Sequence, residues 1–261
     1  MVLSSIVIIA LVKYVMVPGI DHLSAALGWS LKARGKATGY ATSVPEFVAL
    51  VAAGLSQVWE AGLWNIASSN LLNLLMAAAA VIGCGRAGAA FDRRYLKEAV
   101  FSAVGITAPI VLMQFGADTS WGVVPVLLSL FAVYILFDKG DGALPEGQAE
   151  TGGSAAKGGV MIAVSLALIM VAGDILGTAT RDVVQVMGLP AIVAGCILGL
   201  VTSLPEGVSF FEAFSTSRSA GPPDPKAQVQ ELFDTLAASN MSNSGLIYPL
   251  GLTVYLLGTS L

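Results

Sequence analysis

Two short motifs of the same composition carry the chemistry that the sequence suggests. Each reads Thr-Ser-x-Pro-Glu within an apolar stretch. Their members are Thr42, Ser43, Pro45 and Glu46 in the first motif and Thr202, Ser203, Pro205 and Glu206 in the second. An ionisable side chain in such a stretch is costly and marks a candidate functional site. A protonated carboxyl bonded to a neighbouring helix is the alternative, but the recurrence of glutamate after proline favours a functional role.

The two prolines are predicted to break their helices. Proline lacks an N–H and clashes with the preceding turn, so backbone carbonyls three or four residues upstream of Pro45 and Pro205 lose their partners. Unpaired carbonyls at membrane depth are tolerated only when they are buried in protein or line a cavity. A simple kink would not explain why threonine, serine and glutamate recur around both prolines.

A second pair of polar positions follows each motif. Ser69 and Asn73 are four residues apart, as are Ser239 and Asn243, so each pair lies on one helix face. Such side chains often only join helices. Combined with the motifs, they form an oxygen-rich set, and Ca²⁺ takes about six to eight oxygen ligands. Two carboxylates would neutralise one divalent ion, and they could equally hold two monovalent ions or two protons.

The motifs belong to an internal repeat. A shift of 160 residues places the first motif on the second and Gly28 on Gly188, and a shift of 170 places Ser69 on Ser239. The ten additional residues fall in the connector 214–234. Five predicted crossings separate the matched segments, so the halves should enter the membrane in opposite directions. Inverted repeats recur in secondary transporters, with the substrate site near the midplane.

Composition indicates a polytopic membrane protein. The chain is 56% hydrophobic and 11% charged, whereas soluble proteins carry about 25% charged residues. A spanning helix needs about 20 mostly apolar residues. Eight segments qualify: 1–18, 37–56, 62–84, 98–116, 120–137, 159–179, 189–213 and 235–258. We therefore predict an all-α fold of about eight transmembrane helices, with an N-terminal half over 1–137, a linker over 138–158 and a C-terminal half over 159–261.

The basic residues predict the orientation. Of 13 Lys and Arg, 11 fall in the connectors between spans one and two, three and four, five and six, and seven and eight. The positive-inside rule makes that face cytoplasmic, so both termini should lie outside the cytoplasm of a cell (inner) membrane. Lys32, Arg34 and Lys36 would then form a basic cytoplasmic mouth, with their long side chains reaching the interface.

Other chemistry is disfavoured. Cys84 and Cys196 lie in apolar stretches and are expected to be small buried residues. His22, beside Asp21, is the single histidine, so no His-Glu-x-x-His motif is present. The serines have no histidine to activate them, and Asp174 has no repeat-matched aspartate. We predict no enzyme, no cofactor and no nucleic-acid partner, and expect the lipid bilayer and small cations as partners.

At these positions the chain resembles the cation/Ca²⁺ antiporter superfamily, the membrane region of sodium/calcium exchangers. Its two α-repeats read Gly-Thr-Ser-[Leu/Val]-Pro-Glu and then Gly-Asn-x-x-Gly-Ser-Asn-x-x-[Asn/Asp]. Residues 41–46 with 64–73 and 201–206 with 234–243 match the Thr-Ser-x-Pro-Glu and Ser-Asn-x-x-Asn parts of that pattern. Its glycine positions are occupied here by Ala41, Trp64, Ser68, Val201, Asp234 and Ala238. The resemblance implies the exchanger fold and an ion-binding set. That set is Glu46, Glu206, Asn73, Asn243, Thr42, Ser43, Thr202, Ser203, Ser69 and Ser239, with the two glutamates as metal ligands.

The resemblance implies an antiporter that exchanges Ca²⁺, or a related cation, for Na⁺ by alternating access. Exchange for protons is the alternative, because asparagine at 73 and 243 leaves only Glu46 and Glu206 to titrate. Exchangers often have aspartate at the position of Asn243, and this sequence is expected to have two helices fewer than the family's usual ten or more. With the basic mouth, these departures leave a non-transporting relative as a further alternative.

Overall fold

The computed structural model describes residues 1–28, 37, 39–138, 154–215 and 225–260, which are helical apart from short turns. The helices are α1 Val2–Leu27, α2 Gly39–Leu55, α3 Trp59–Gly83, α4 Arg93–Gln114, α5 Val123–Asp138, α6 Ala155–Val186, α7 Ala191–Thr202, α8 Leu204–Ser215, α9 Pro225–Ser242 and α10 Tyr248–Ser260. A short turn of helix, Ala87–Ala90, lies between α3 and α4.

Several helices have the length and composition of membrane spans. Four of them, α1, α3, α4 and α6, are long and apolar enough to cross a membrane, and α2, α5 and α7 are shorter apolar helices. The predicted all-α, multi-pass membrane fold is confirmed. The number of eight crossings and the opposed directions of the two halves stay predictions.

The first helix is longer than the sequence predicts. The predicted span ends at residue 18, before Gly19 and Asp21, whereas α1 continues to Leu27. A π-helical segment, Val12–Met16, precedes Pro18, and the Val17 N–H bonds to the Val12 carbonyl. Because the hydrogen-bond ladder is already displaced there, the missing N–H of Pro18 does not end the helix.

Both motifs interrupt their helices in the same way. The break falls at Ser43, with φ −85° and ψ 0°, and at Ser203, with φ −82° and ψ 0°. Pro45 is the second residue of the segment after the break, where its missing N–H has no helical partner to lose. The glycines matched by the repeat also have similar backbone conformations, since the φ angles of Gly28 and Gly188 are 64° and 70°.

Close glycine contacts hold the helices around the motifs. A methyl group at Gly158 of α6 would lie 2.6 Å from the Gly19 carbonyl oxygen of α1, and one at Gly177 would lie 2.8 Å from the Ala52 carbonyl of α2. At Gly195 of α7 it would lie 2.6 Å from a carbonyl of α3. These backbones approach closely because glycine has no side chain. Helix α6 therefore packs against α1 and α2, while α7 packs against α3.

A polar contact outside the membrane spans fixes the start of α9. Asp92 pairs with Lys226 at 3.3 Å, and the Tyr95 hydroxyl donates to the Lys226 carbonyl at 3.0 Å. The Tyr95 ring also stacks on Phe233 at 5.1 Å between centroids. The backbone N–H of Arg94, with the Lys226 ammonium, holds the pKa of Asp92 below its usual value. The connector after α3 thereby positions α9, which carries half of the second repeat.

The prediction for the cysteines is wrong. Cys84 and Cys196 are both exposed on the protein surface rather than buried. In a membrane protein the lipid-facing surface is as apolar as the interior, so an apolar stretch does not distinguish the two environments. The basic mouth predicted at Lys32, Arg34 and Lys36 lies outside the described residues, as does most of the predicted linker 138–158.

Substitution of Gly158 should loosen the packing of α1 on α6. Gly158→Ala places a methyl group against the backbone of Gly19 and Leu23, which cannot move aside easily, and overpacking typically costs about 1–3 kcal/mol. The adjacent Gly159 has no atom within 4 Å of an added methyl group. Gly159→Ala is therefore the matched control, with a gain of up to about 1 kcal/mol in helix propensity. In detergent, the unfolding temperature of Gly158→Ala should be lower than that of the parent, and the unfolding temperature of Gly159→Ala should equal or exceed it.

Candidate cation site

The predicted ligand residues share one environment inside the helix bundle. All ten side chains are buried, and the most exposed of them, Thr42, shows 6% of its surface. They come from α2, α3, the end of α7, α8 and α9, with Ser203 at the break between α7 and α8 and Asn243 in the π-helical segment after α9. A polar residue on an apolar helix can face either the lipid or the protein interior. Because all ten side chains are buried, they face the protein interior.

The Glu46 carboxyl lies in the first turn after the break in α2 and meets groups from the second repeat. The Ser69 hydroxyl donates to Glu46 Oε1 at 3.3 Å, and the same hydroxyl lies 3.3 Å from that of Thr202. The Ser203 hydroxyl faces this carboxyl without completing a hydrogen bond. Glu46 Oε2 is buried and has no hydrogen-bond partner among the described residues.

The second carboxyl has still fewer partners. Glu206 is fully buried, and it lies close enough to Glu46 for their charges to repel each other. Thr42 of the first motif is beside it. Within the described part of the chain, neither oxygen of Glu206 has a hydrogen-bond donor. The structure thus brings the two glutamates of the repeat together, as the sequence predicts.

The Asn73 amide links the repeats with its nitrogen and leaves its oxygen unused. Its Nδ2 donates to Ser239 Oγ at 3.1 Å and to Asn240 Oδ1 at 3.3 Å, while its Oδ1 is buried without a partner in the described chain. The Ser239 hydroxyl in turn lies 3.5 Å from that of Ser43. The amide oxygen remains available to another ligand.

Asn243 repeats this arrangement from the other half. Its Nδ2 donates to Asn70 Oδ1 at 2.9 Å, which matches the bond from Asn73 to Asn240. Its Oδ1 is likewise buried and unpartnered as far as the structure describes the chain. A π-helical segment, Asn243–Ile247, begins at this residue. Such segments often occur at functional sites.

A network of buried amides behind the ligand residues was not predicted from the sequence. The Asn70 Nδ2 donates to the Gly105 carbonyl and to Ser244 Oγ, both at 2.9 Å. Asn240 Nδ2 reaches Ser102 Oγ at 2.9 Å and the Asn70 carbonyl at 3.3 Å. The repeat match of Asn70 with Asn240 was the available signal. Helix α4, which lies outside the repeat motifs, takes part through Ser102 and Gly105.

One further amide was missed near the motifs. Asn65 is fully buried on α3, and its Oδ1 accepts from the Thr202 hydroxyl at 3.2 Å. The Thr202 side chain is thus held between Asn65 and Ser69. A lone asparagine in an apolar span is the signal that could have identified it.

Several oxygens of the site are buried and have no hydrogen-bond partner in the described chain. They are Glu46 Oε2, Glu206 Oε1 and Oε2, Asn73 Oδ1, Asn243 Oδ1 and Ser203 Oγ. Leaving each such group unpaired costs about 1–3 kcal/mol. No group of three or more His, Cys, Asp or Glu that could hold a metal ion occurs among the described residues. The two carboxylates and the neutral oxygens of the site are the ligand types that hard cations take.

The fold and the site define a multi-pass helical membrane protein with an oxygen-lined polar interior. The profile of the family described as sodium/calcium exchanger protein matches residues 1–139 and 157–259. The chain belongs to this family, whose members exchange cations across membranes and are transporters rather than enzymes. Neither the curated proteins nor the solved structures contain a match to the chain.

Proposed function

We propose that the protein is a secondary active antiporter that exchanges Ca²⁺, or a related cation, for Na⁺ across the membrane. The observation that carries this proposal is the group of buried acceptor oxygens around Glu46 and Glu206 that have no donor in the described chain. Two ionised carboxylates close to each other repel, and a divalent cation between them relieves that repulsion.

The ligands come from both halves, which we propose to be inverted repeats over 1–137 and 159–261 joined by the linker 138–158. Three observations support their equivalence. Ser43 and Ser203 have nearly the same backbone angles, and Gly28 and Gly188 have the same positive φ. The bonds from Asn73 and Asn243 to the opposite half also match. A site made by two such halves is typical of transporters.

Alternating access would use the packing of α1 and α6. Side chains of both helices, including Ile8, Val12, Ile169 and Leu176, form an apolar cluster with residues of α2 and α7. Apolar contacts are not directional, so the pair can shift against the helices that carry the ligands. A site holding uncompensated charge would be too costly to move through the membrane, which couples the movement to ion occupancy.

Proton coupling is the second candidate. The observation that favours it is that Asn73 and Asn243 are neutral, so Glu46 and Glu206 are the groups of the site that can take up protons. Either coupling uses the same ligand set and the same movement. The choice between Na⁺ and H⁺ therefore depends on which gradient drives transport.

Uptake by purified protein in liposomes tests the proposal. Vesicles loaded with Na⁺ and diluted into Na⁺-free buffer should accumulate ⁴⁵Ca²⁺, whereas vesicles without a Na⁺ gradient or without protein should not. A pH gradient of either direction, applied without Na⁺, is the arm for proton coupling. Absence of uptake in every arm would contradict antiport and leave the non-transporting relative as the better description.

The orientation has its own test. Cys84 is exposed at the end of α3, and the distribution of basic residues predicts a cytoplasmic position for the connector that follows. In a Cys196→Ala background, a membrane-impermeant maleimide should label Cys84 from the cytoplasmic side of oriented vesicles and not from the other side. The reverse pattern of labelling would overturn the predicted topology.

A further inference from the structure

We infer that exchange is electroneutral, with one divalent cation moved against two monovalent ions per cycle. This inference rests on the proposed antiport, and it holds whether the counter-ion is Na⁺ or H⁺. It follows from the charge that the residue types of the site can carry, and from the hydrogen bonds of two amide pairs, which fix the orientation of Asn73 and Asn243.

The first step is the charge of the ligand set. Glu46 and Glu206 are its two acids, and the remaining eight predicted ligand residues are hydroxyls and amides. All ten side chains are buried. When both carboxylates are ionised, the set carries two negative charges. One divalent or two monovalent cations would bring its net charge to zero.

The second step is that position 243 must present a donor. Both hydrogens of the Asn70 amide are engaged, one by the Gly105 carbonyl and one by Ser244 Oγ, each at 2.9 Å. The Asn70 Oδ1 therefore faces Asn243 as an acceptor, 2.9 Å from its Nδ2. An ionised aspartate at 243 would put oxygen against oxygen at this distance. The amide network thus disfavours an ionised carboxylate at a position where exchangers often have aspartate.

The third step is that position 73 is fixed in the same way. The Asn240 Nδ2 is engaged by Ser102 Oγ at 2.9 Å and by the Asn70 carbonyl at 3.3 Å. Its Oδ1 accepts from Asn73 Nδ2 at 3.3 Å. Asn73 and Asn243 accordingly turn their nitrogens to the opposite half and keep their oxygens unpartnered in the described chain. Each contributes a neutral oxygen and no charge.

The consequence for stoichiometry follows from the low polarity of the surroundings. A third monovalent cation would leave the buried site with an uncompensated positive charge, which is strongly unfavourable in a protein interior within a membrane. A single monovalent cation would leave one uncompensated negative charge, which is unfavourable for the same reason. The occupied states that can cross are therefore neutral, and a complete cycle transfers no net charge.

The test measures the equilibrium distribution of Ca²⁺ in proteoliposomes at fixed ion gradients. With K⁺ and valinomycin setting the potential, a tenfold Na⁺ gradient should support a Ca²⁺ ratio of about a hundredfold, the square of the driving gradient. Changing the K⁺ gradient tenfold should leave that ratio unchanged. If protons prove to be the counter-ion, a gradient of one pH unit replaces the Na⁺ gradient.

The outcomes separate the inference from the function on which it rests. Exchange of three monovalent ions would give about a thousandfold ratio. That ratio would also change about tenfold for a tenfold K⁺ gradient, because each net charge responds to the potential. Either result would overturn electroneutrality while supporting antiport. No Ca²⁺ movement under any gradient would overturn the proposed function itself, and the stoichiometry would fall with it.

Discussion

Replacing either site glutamate by glutamine should abolish Ca²⁺ uptake. Glu46→Gln or Glu206→Gln keeps the shape of the side chain but leaves a single negative charge for a divalent cation. Removing one partner of a buried charge interaction costs about 3–5 kcal/mol, so uptake at subsaturating Ca²⁺ should fall at least about a hundredfold. The measurement is the initial rate of ⁴⁵Ca²⁺ entry into liposomes with equal amounts of folded protein.

Glu60→Gln is the matched control for these variants. Glu60 is exposed on α3 and accepts a hydrogen bond from Trp64 Nε1 at 3.3 Å, so its neutralisation should leave uptake unchanged. The unfolding temperatures of the two site variants should equal or exceed that of the parent protein, because the repulsion between Glu46 and Glu206 is removed. Parent-like uptake by well-folded Glu46→Gln and Glu206→Gln would rule out a role for the carboxylates.

The second large effect is expected on stability, at Asn70. Asn70→Leu removes the acceptor of the Asn243 amide and a donor to Ser244, and both of these groups are buried. No water in the bilayer interior replaces the lost partners. Ser244 keeps its bond to the Gly105 carbonyl, whereas the Asn243 amide loses its acceptor. The unsatisfied amide should cost about 1–3 kcal/mol, enough to lower the fraction of monodisperse protein on size exclusion after mild heating.

Ser102→Ala provides the comparison. It removes one acceptor of Asn240 Nδ2, but that amide keeps the Asn70 carbonyl, so the loss should be about 1 kcal/mol. Equal thermal stability of Asn70→Leu and the parent would show that the network contributes little. Equal losses in the two variants would show that Asn70 is no more than an ordinary polar contact.

The sequence predicts the site better than it predicts the helix ends. Glu46 and Glu206 stand out because each is an acid in an apolar run, and their recurrence identifies them as a pair before any fold is known. The repeat shift also anticipates that Ser43 and Ser203 occupy equivalent positions. These inferences depend on residue types that are rare in membrane helices, so the same matches would seldom arise by chance.

The amide network could not be derived in the same way. The Asn70 to Asn243 bond joins residues 173 positions apart, and the pairing depends on how α3 meets the segment that follows α9. Helix α4 itself has no repeat partner to mark Gly105 or Ser102. The π-helical segment at Asn243–Ile247 also shifts the faces of the helix after it, and local hydropathy does not reveal such a shift.

The neutral amides at positions 73 and 243 also bear on kinetics. Calcium affinity in proteins rises with the number of charged ligands, and this site has two. A site with few charges holds its ion briefly, since weaker binding among related sites is expressed mainly as faster dissociation. In the proposed exchange, such a site would suit rapid turnover when Ca²⁺ is plentiful rather than scavenging of Ca²⁺ at trace concentrations.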